Sequence, residues 1–96
     1  MDLETKMKNS VFIFTMNGCP YCLELKNALT ELNIPYREFK IHENRYIWEQ
    51  VVKQTGFRNL PTIYIKEGDS DIGPVYIPGR DFDTKEQIIE IIKGYM

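Results

Sequence analysis

The sequence predicts an α/β domain built on a four-stranded mixed sheet with helices on both faces, its elements running in the order βαβαββα. Three observations carry this prediction. Val11-Phe12-Ile13-Phe14 is an apolar run of β-branched and aromatic residues without alternation, as in a strand buried on both faces at the centre of an α/β sheet. Helix-period apolar stripes then alternate with short strand-like runs. Finally, 96 residues suit one compact domain, spanning 1–96, and leave no room for two independent cores.

The elements follow in order. Met16-Asn17-Gly18 breaks the first strand, and Cys19 leads into a helix whose Cys22, Leu25, Leu29 and Leu32 recur at spacings of three and four. Asn33-Ile34-Pro35 is expected to end it, because a residue before proline is pushed out of helical angles. Tyr36 to Ile41 alternates polar and apolar and suits a second strand nearer an edge. Asn44 to Thr55 reads as a helix, with Trp48/Val52 and Ile47/Val51 paired one turn apart and Gly56 at the expected stop. Thr62-Ile63-Tyr64-Ile65 is a third strand, and Val75-Tyr76-Ile77 a fourth, reached through the polar turn Glu67-Gly68-Asp69-Ser70-Asp71. Asp83-Thr84-Lys85-Glu86 resembles a capping box that opens a last helix with Ile88, Ile89, Ile91 and Ile92 as its apolar face. The βαβ half should cross right-handed with parallel strands, and the last two strands should be antiparallel. In such a sheet chemistry is expected in the loops at the C-terminal ends of the parallel strands, where Gly18-Cys19 lies.

Composition excludes several classes. Apolar residues at 43% and charged residues at 27% are ordinary globular usage and argue against disorder. A net charge of −2, with both signs interspersed and no basic stripe, argues against a nucleic-acid partner held by phosphate contacts. No run of about 18 apolar residues offers a membrane span. The first six residues, Met1 to Lys6, lack the basic-then-apolar order of a secretory signal, so a soluble protein in a reducing cytoplasm is expected, and it is expected to be a monomer. There, two cysteines at CxxC spacing are more often catalytic or metal-binding than a structural staple.

Cys19-Pro20-Tyr21-Cys22 puts two sulfurs at the opening turn of a helix. The free N–H groups and the positive end of the helix dipole at that turn stabilise a thiolate, which can bring a cysteine from about 8.5 into the range of roughly 3.5–7.5. Cys19 is therefore the candidate nucleophile, and Pro20 fits the first turn, where its missing N–H costs nothing. Cys22, one turn deeper, should be more buried and less ionised, and its natural role is to resolve a mixed disulfide on Cys19. Other readings of the pair are a structural disulfide, which closes too short a loop to stabilise much; a zinc site, which needs about four ligands and would have to recruit His42 and acidic residues; and two inert core cysteines. His42 and Trp48 read as structural, and no metal is expected.

The Cys-Pro-Tyr-Cys motif after a buried strand, Leu60-Pro61-Thr62 before another, and Gly79-Arg80-Asp81 near the end resemble the glutaredoxins, in matching element order from about Val11 to Tyr95. The Pro-Tyr interior is that of the dithiol members of this thioredoxin-fold superfamily. The resemblance implies a thioredoxin-like fold, no tightly bound cofactor, and glutathione as reducing co-substrate. It further implies a cis Leu60-Pro61 bond, with Leu60 backbone groups pairing with the glutathione backbone as an added strand would. Arg58 would face the glycine carboxylate of glutathione, Gly79, Arg80 and Asp81 would hold its γ-glutamyl end, and Tyr21 would wall the groove. Bland roles stand beside these: a solvated loop arginine for Arg58, and turn formation or helix capping for Asp81. The sequence departs from the family pattern at Pro78, which replaces a glycine and lacks an N–H, and at Met16, which stands where a lysine is frequent. Both departures predict a looser hold on glutathione.

The resemblance implies reduction of protein disulfides and glutathionylated proteins, with ribonucleotide reductase as one acceptor the family serves. Two alternatives stand beside it: a thioredoxin-like reductant fed by a flavoprotein reductase, and a carrier of an iron–sulfur cluster shared between two Cys19 thiolates and two glutathiones. Proline after the first cysteine argues against the carrier.

Overall fold

The computed structural model describes residues 9–68 and 73–96; the expected turn through Asp69, Ser70 and Asp71 and the opening segment lie outside them. β1 (Ser10–Thr15), α1 (Pro20–Glu31), β2 (Arg37–Lys40), α2 (Arg45–Thr55), β3 (Thr62–Lys66), β4 (Val75–Tyr76) and α3 (Lys85–Lys93) follow one another along the chain. The sheet order is β2-β1-β3-β4. β1 pairs in parallel with β2 and antiparallel with β3, and β3 pairs antiparallel with β4. The apolar run that lacks alternation is thus a central strand, and the alternating run is an edge strand.

Alternation within β1 divides the interior. Val11 and Ile13 sit opposite Ile65 and Ile63 of β3, and these four join Leu25 and Leu29 of α1 and Ile88, Ile89 and Ile92 of α3 in the main core. Phe12 and Phe14 take the other face. There Phe12 stacks on Phe39 and Tyr64, and Phe14 meets Trp48 of α2 at 5.4 Å between ring centroids. Helices therefore cover both faces, but unequally: α2 buries only Trp48, and Ile47, expected on its apolar face, is 45% exposed.

Most strand and helix ends shift by a single residue from the sequence reading, and three differences have a specific cause. α1 stops at Glu31, so Leu32 lies beyond the buried stripe and is exposed. The stop does not wait for Pro35. Asn33 adopts a left-handed φ of 58°, and the Ile34 and Asn33 amides donate to the Leu29 and Thr30 carbonyls, satisfying the last turn. The capping box of α3 is one residue later than Asp83/Glu86: Thr84 accepts from the Gln87 amide, and the Gln87 side chain accepts from the Thr84 amide. β4 ends before Ile77, whose amide donates to the Asp81 carboxylate instead of the ladder. Gly56, at a φ of 81°, ends α2 where expected.

Thr84→Ala should cost about 1 kcal/mol through loss of the cap. A denaturation midpoint equal to that of the native protein would show that α3 does not depend on it.

Candidate active site

The chain leaves β1 at Thr15 and reaches α1 in four residues. Gly18 makes this possible with a φ of 79°, which favours glycine. Cys19 is the N-cap of α1, in extended geometry, with Pro20 at the first helical position. Its Sγ accepts a hydrogen bond from the Cys22 amide at 3.3 Å, so the thiol occupies the place where a capping oxygen normally sits. Both cysteines are free, Cys19 half-buried and Cys22 buried at 1% exposure. Burial pushes the Cys22 thiol up to about 12; the hydrogen bond with Cys19 adds to the shift, and the Met16 backbone and Lys26 oppose it. The two sulfurs therefore differ in access, and the outer one is the one that solvent reaches.

Two hollows flank the motif. One, of about 410 Å³, is lined by Met16, Gly18, Cys19, Cys22, Lys26 and Glu38. In it Lys26 Nζ lies 2.8 Å from Glu38 Oε2, and Thr15 Oγ1 donates to the same oxygen at 2.6 Å. Lys26 first and Thr15 second hold the Glu38 carboxyl below the usual carboxylate range, and Glu38 holds Lys26 above the usual lysine value. The second hollow, of about 500 Å³, is a groove running from Tyr21 past Leu60 and Pro61 to Pro78, Asp83 and Thr84. The Leu60-Pro61 bond is cis, as the resemblance implied. Tyr21 is 70% exposed at the groove's rim.

The remaining candidates are placed differently. Arg58 does not line this groove. Its guanidinium makes two hydrogen bonds, of 3.0 and 3.1 Å, to Glu49 of α2, and it borders a hollow with His42, Arg45 and Trp48. Gly79, Arg80 and Asp81 line a neighbouring recess of about 590 Å³ with Glu86 and Glu90. The Asp81 carboxylate is used within its own turn, accepting from the Ile77 amide and from Arg80 Nε, each at 2.8 Å. Arg80 also donates to the Val75 carbonyl and lies over the Phe57 ring. The turn-forming role is thus what Asp81 performs here, because its neighbour Arg80 supplies the cation that a ligand ammonium would otherwise supply.

Sequence reasoning missed Asn59, Asp83 and Thr84 as groove walls. Asn59 donates to the Pro78 carbonyl at 2.8 Å and ties the two loops of the groove together. The capping sequence before α3 was the available signal for Asp83 and Thr84, since helix N-termini offer amides to anions. Among the described residues no group of three or more His, Cys, Asp or Glu side chains converges on a common point, and no helix is long and apolar enough to cross a membrane.

A central β1, a helix opening on the inner CxxC, and a cis-proline loop alongside define a protein of the thioredoxin fold. A germline-specific thioredoxin of Drosophila melanogaster superposes with a TM-score of 0.65 at 12% identity, over 98% of this chain and 88% of its own. A buckwheat glutaredoxin in complex with glutathione superposes with a TM-score of 0.55 at 17% identity, over 93% of this chain and 73% of its own. The glutaredoxin family model matches residues 11–69. A Mycobacterium tuberculosis protein that carries the glutaredoxin name is 40% identical over 63 residues, 65% of this chain and 75% of its own. The chain belongs to the glutaredoxin family, and its chemistry is thiol–disulfide exchange.

A carboxyl depressed in the folded state stabilises the fold above its unfolded pKa, and that contribution is lost as acid protonates it. The stability advantage of the native protein over Glu38→Gln should therefore shrink as pH falls through and below the ordinary value of 4.5. Denaturant midpoints measured at neutral and acid pH check this, and a constant difference would contradict it.

Proposed function

We propose that this protein is a glutathione-dependent oxidoreductase that reduces protein disulfides and glutathione mixed disulfides, with Cys19 as nucleophile and Cys22 as resolving thiol. The observation that carries the reading is the asymmetry of the pair: Cys19 caps α1 and is accessible, whereas Cys22 is buried and its proton is held tightly. Cys19 attacks the substrate disulfide, forming a mixed disulfide and releasing the first thiol. Either Cys22 displaces the second thiol, leaving a Cys19–Cys22 disulfide, or glutathione displaces it directly. In the first route two glutathione thiols reduce that disulfide, and in the second one further glutathione frees Cys19 from any glutathione left on it; in both, glutathione leaves as glutathione disulfide. The site of action proposed is a reducing cytoplasm, with the protein working as a monomer.

Glutathione would lie along the groove between Tyr21 and the Leu60-Pro61 loop. Glu24, Asp83 and Glu86 on the walls are the carboxylates suited to its ammonium, and Lys85 is a cation suited to its carboxylates. Arg58 can be recruited from Glu49, because an ion pair this exposed is held weakly. A second reading, reduction by a flavoprotein reductase with little use of glutathione, is favoured by Arg58 being engaged with Glu49 and Asp81 with Arg80. Reduction of the oxidised protein by glutathione alone, set against reduction by thioredoxin reductase alone, separates the two.

In a coupled assay with glutathione, glutathione reductase and a small mixed disulfide, Cys19→Ser should abolish turnover, while Cys22→Ser should keep much of the monothiol activity. Full activity in Cys19→Ser would overturn the mechanism. In a glutathione titration followed by NMR, Glu49→Gln should tighten binding severalfold by freeing Arg58, and Arg58→Met should weaken it. Equal affinities in both variants would exclude Arg58 from the groove.

A further inference from the structure

The charged cluster beneath the inner cysteine has no part in the sulfur exchange proposed for Cys19 and Cys22. Lys26 follows Cys22 by one helical turn, so the two side chains are neighbours on α1. Across from them Glu38 on β2 grips Lys26 at 2.8 Å and is itself held by Thr15, which is 1% exposed at the end of β1. The Lys26 and Glu38 side chains are only about a quarter exposed, at 23% and 25%. Cys19, Cys22, Lys26, Glu38 and Lys40 all line the same hollow. The ion pair contributes modestly to stability, since lost hydration offsets part of the attraction. It is, however, a fixed electric field.

The resolving step needs such a field. The Cys22 Sγ–H bond breaks, a Cys22–Cys19 S–S bond forms and the bond from Cys19 to the substrate sulfur breaks. The substrate leaves as a thiol carrying the proton, while the cysteine pair gives up the two electrons that the disulfide substrate takes up. Negative charge thus passes through the sulfur of a residue that is 1% exposed to water. The groups around that sulfur are Cys19 and the Met16 backbone at its outer side, Lys26 on its own helix, and Glu38 and Lys40 from β2. Once Cys19 is tied up in a mixed disulfide, Lys26 is the cation on the same helix face.

We propose that Lys26, anchored by Glu38 and Thr15, is a positioning residue for resolution, its ammonium favouring attack by Cys22 on the mixed disulfide at Cys19. This rests on the dithiol reading above. Lys26 and Glu38 then act with opposite sign: the ammonium assists the buried thiolate and the carboxylate opposes it, although the carboxylate also keeps the ammonium in place. A purely structural ion pair predicts the same sign for both.

Reaction of the reduced protein with dithiobis(nitrobenzoate) separates the steps without glutathione. Cys19 attack releases one coloured thiolate, and Cys22 attack on the resulting adduct releases a second. In Lys26→Met the second phase should slow by about three- to tenfold at neutral pH and its pH midpoint should rise. Lys26→Arg should restore the rate. Glu38→Gln, which keeps the hydrogen-bonding shape and loses the charge, should show a second phase at least as fast as the native one, with a lower midpoint. A second phase unchanged in Lys26→Met, or slowed in Glu38→Gln as well, would overturn the proposal. If the native protein releases no second equivalent, the dithiol reading itself falls, and this inference falls with it.

Discussion

The site depends on how α1 is seated on the sheet. Leu25 and Leu29, with 1% and 0% exposure, lock one face of the helix against Val11, Ile13, Ile63 and Ile65. Burying four to six such side chains contributes on the order of 10 kcal/mol before conformational entropy is subtracted. No local preference at the first turn competes with an anchor of that size. Cys22 lies on the same stripe, three residues before Leu25, and is carried inward with it. Cys19, one turn earlier, is left at the cap where the helix meets solvent. The difference in exposure between two chemically identical side chains is thus a consequence of core packing.

The same seating organises the charges. The hydrogen bond from the Cys22 amide to Cys19 Sγ is available only because Cys19 holds the N-cap position. Lys26 reaches Glu38 only because parallel pairing of β1 with β2 sets Ile13 beside Glu38 and Phe14 beside Phe39, one register step from Thr15. The groove on the other side of the motif is built from a different part of the chain. Asn59 bonded to the Pro78 carbonyl, the cis Leu60-Pro61 bond and the cap of α3 bring it beside Tyr21. The two sulfurs and the groove therefore rest on separate supports.

Much of this was legible in the residues. The unbroken run Val11–Phe14 marked a central strand because a strand covered on both faces has no polar side to show, and CPYC placed after it marked the sulfurs and their order. The errors came where a local rule met a competing one nearby. Pro35 was expected to end α1, but Asn33 could adopt a left-handed conformation and ended it first, leaving Leu32 in solvent. Asp83 fitted a capping box as well as Thr84 did, and Gln87 decided between them. Arg58 and Asp81 carried the charges suited to the two ends of glutathione, yet their partners Glu49 and Arg80 are set by how α2 and the turn after β4 fold back. Spacing alone does not reveal such pairings. Nor did it reveal Lys26 and Glu38, which are 12 residues apart and meet only through the β1–β2 register.

The central claim is that packing of α1 makes one sulfur available and withholds the other. Brief treatment of the reduced protein with limiting iodoacetamide at neutral pH, followed by peptide mass spectrometry, tests it most directly. The label should fall on Cys19, with Cys22 modified only after denaturation. Equal labelling of the two, or preferential labelling of Cys22, would contradict it.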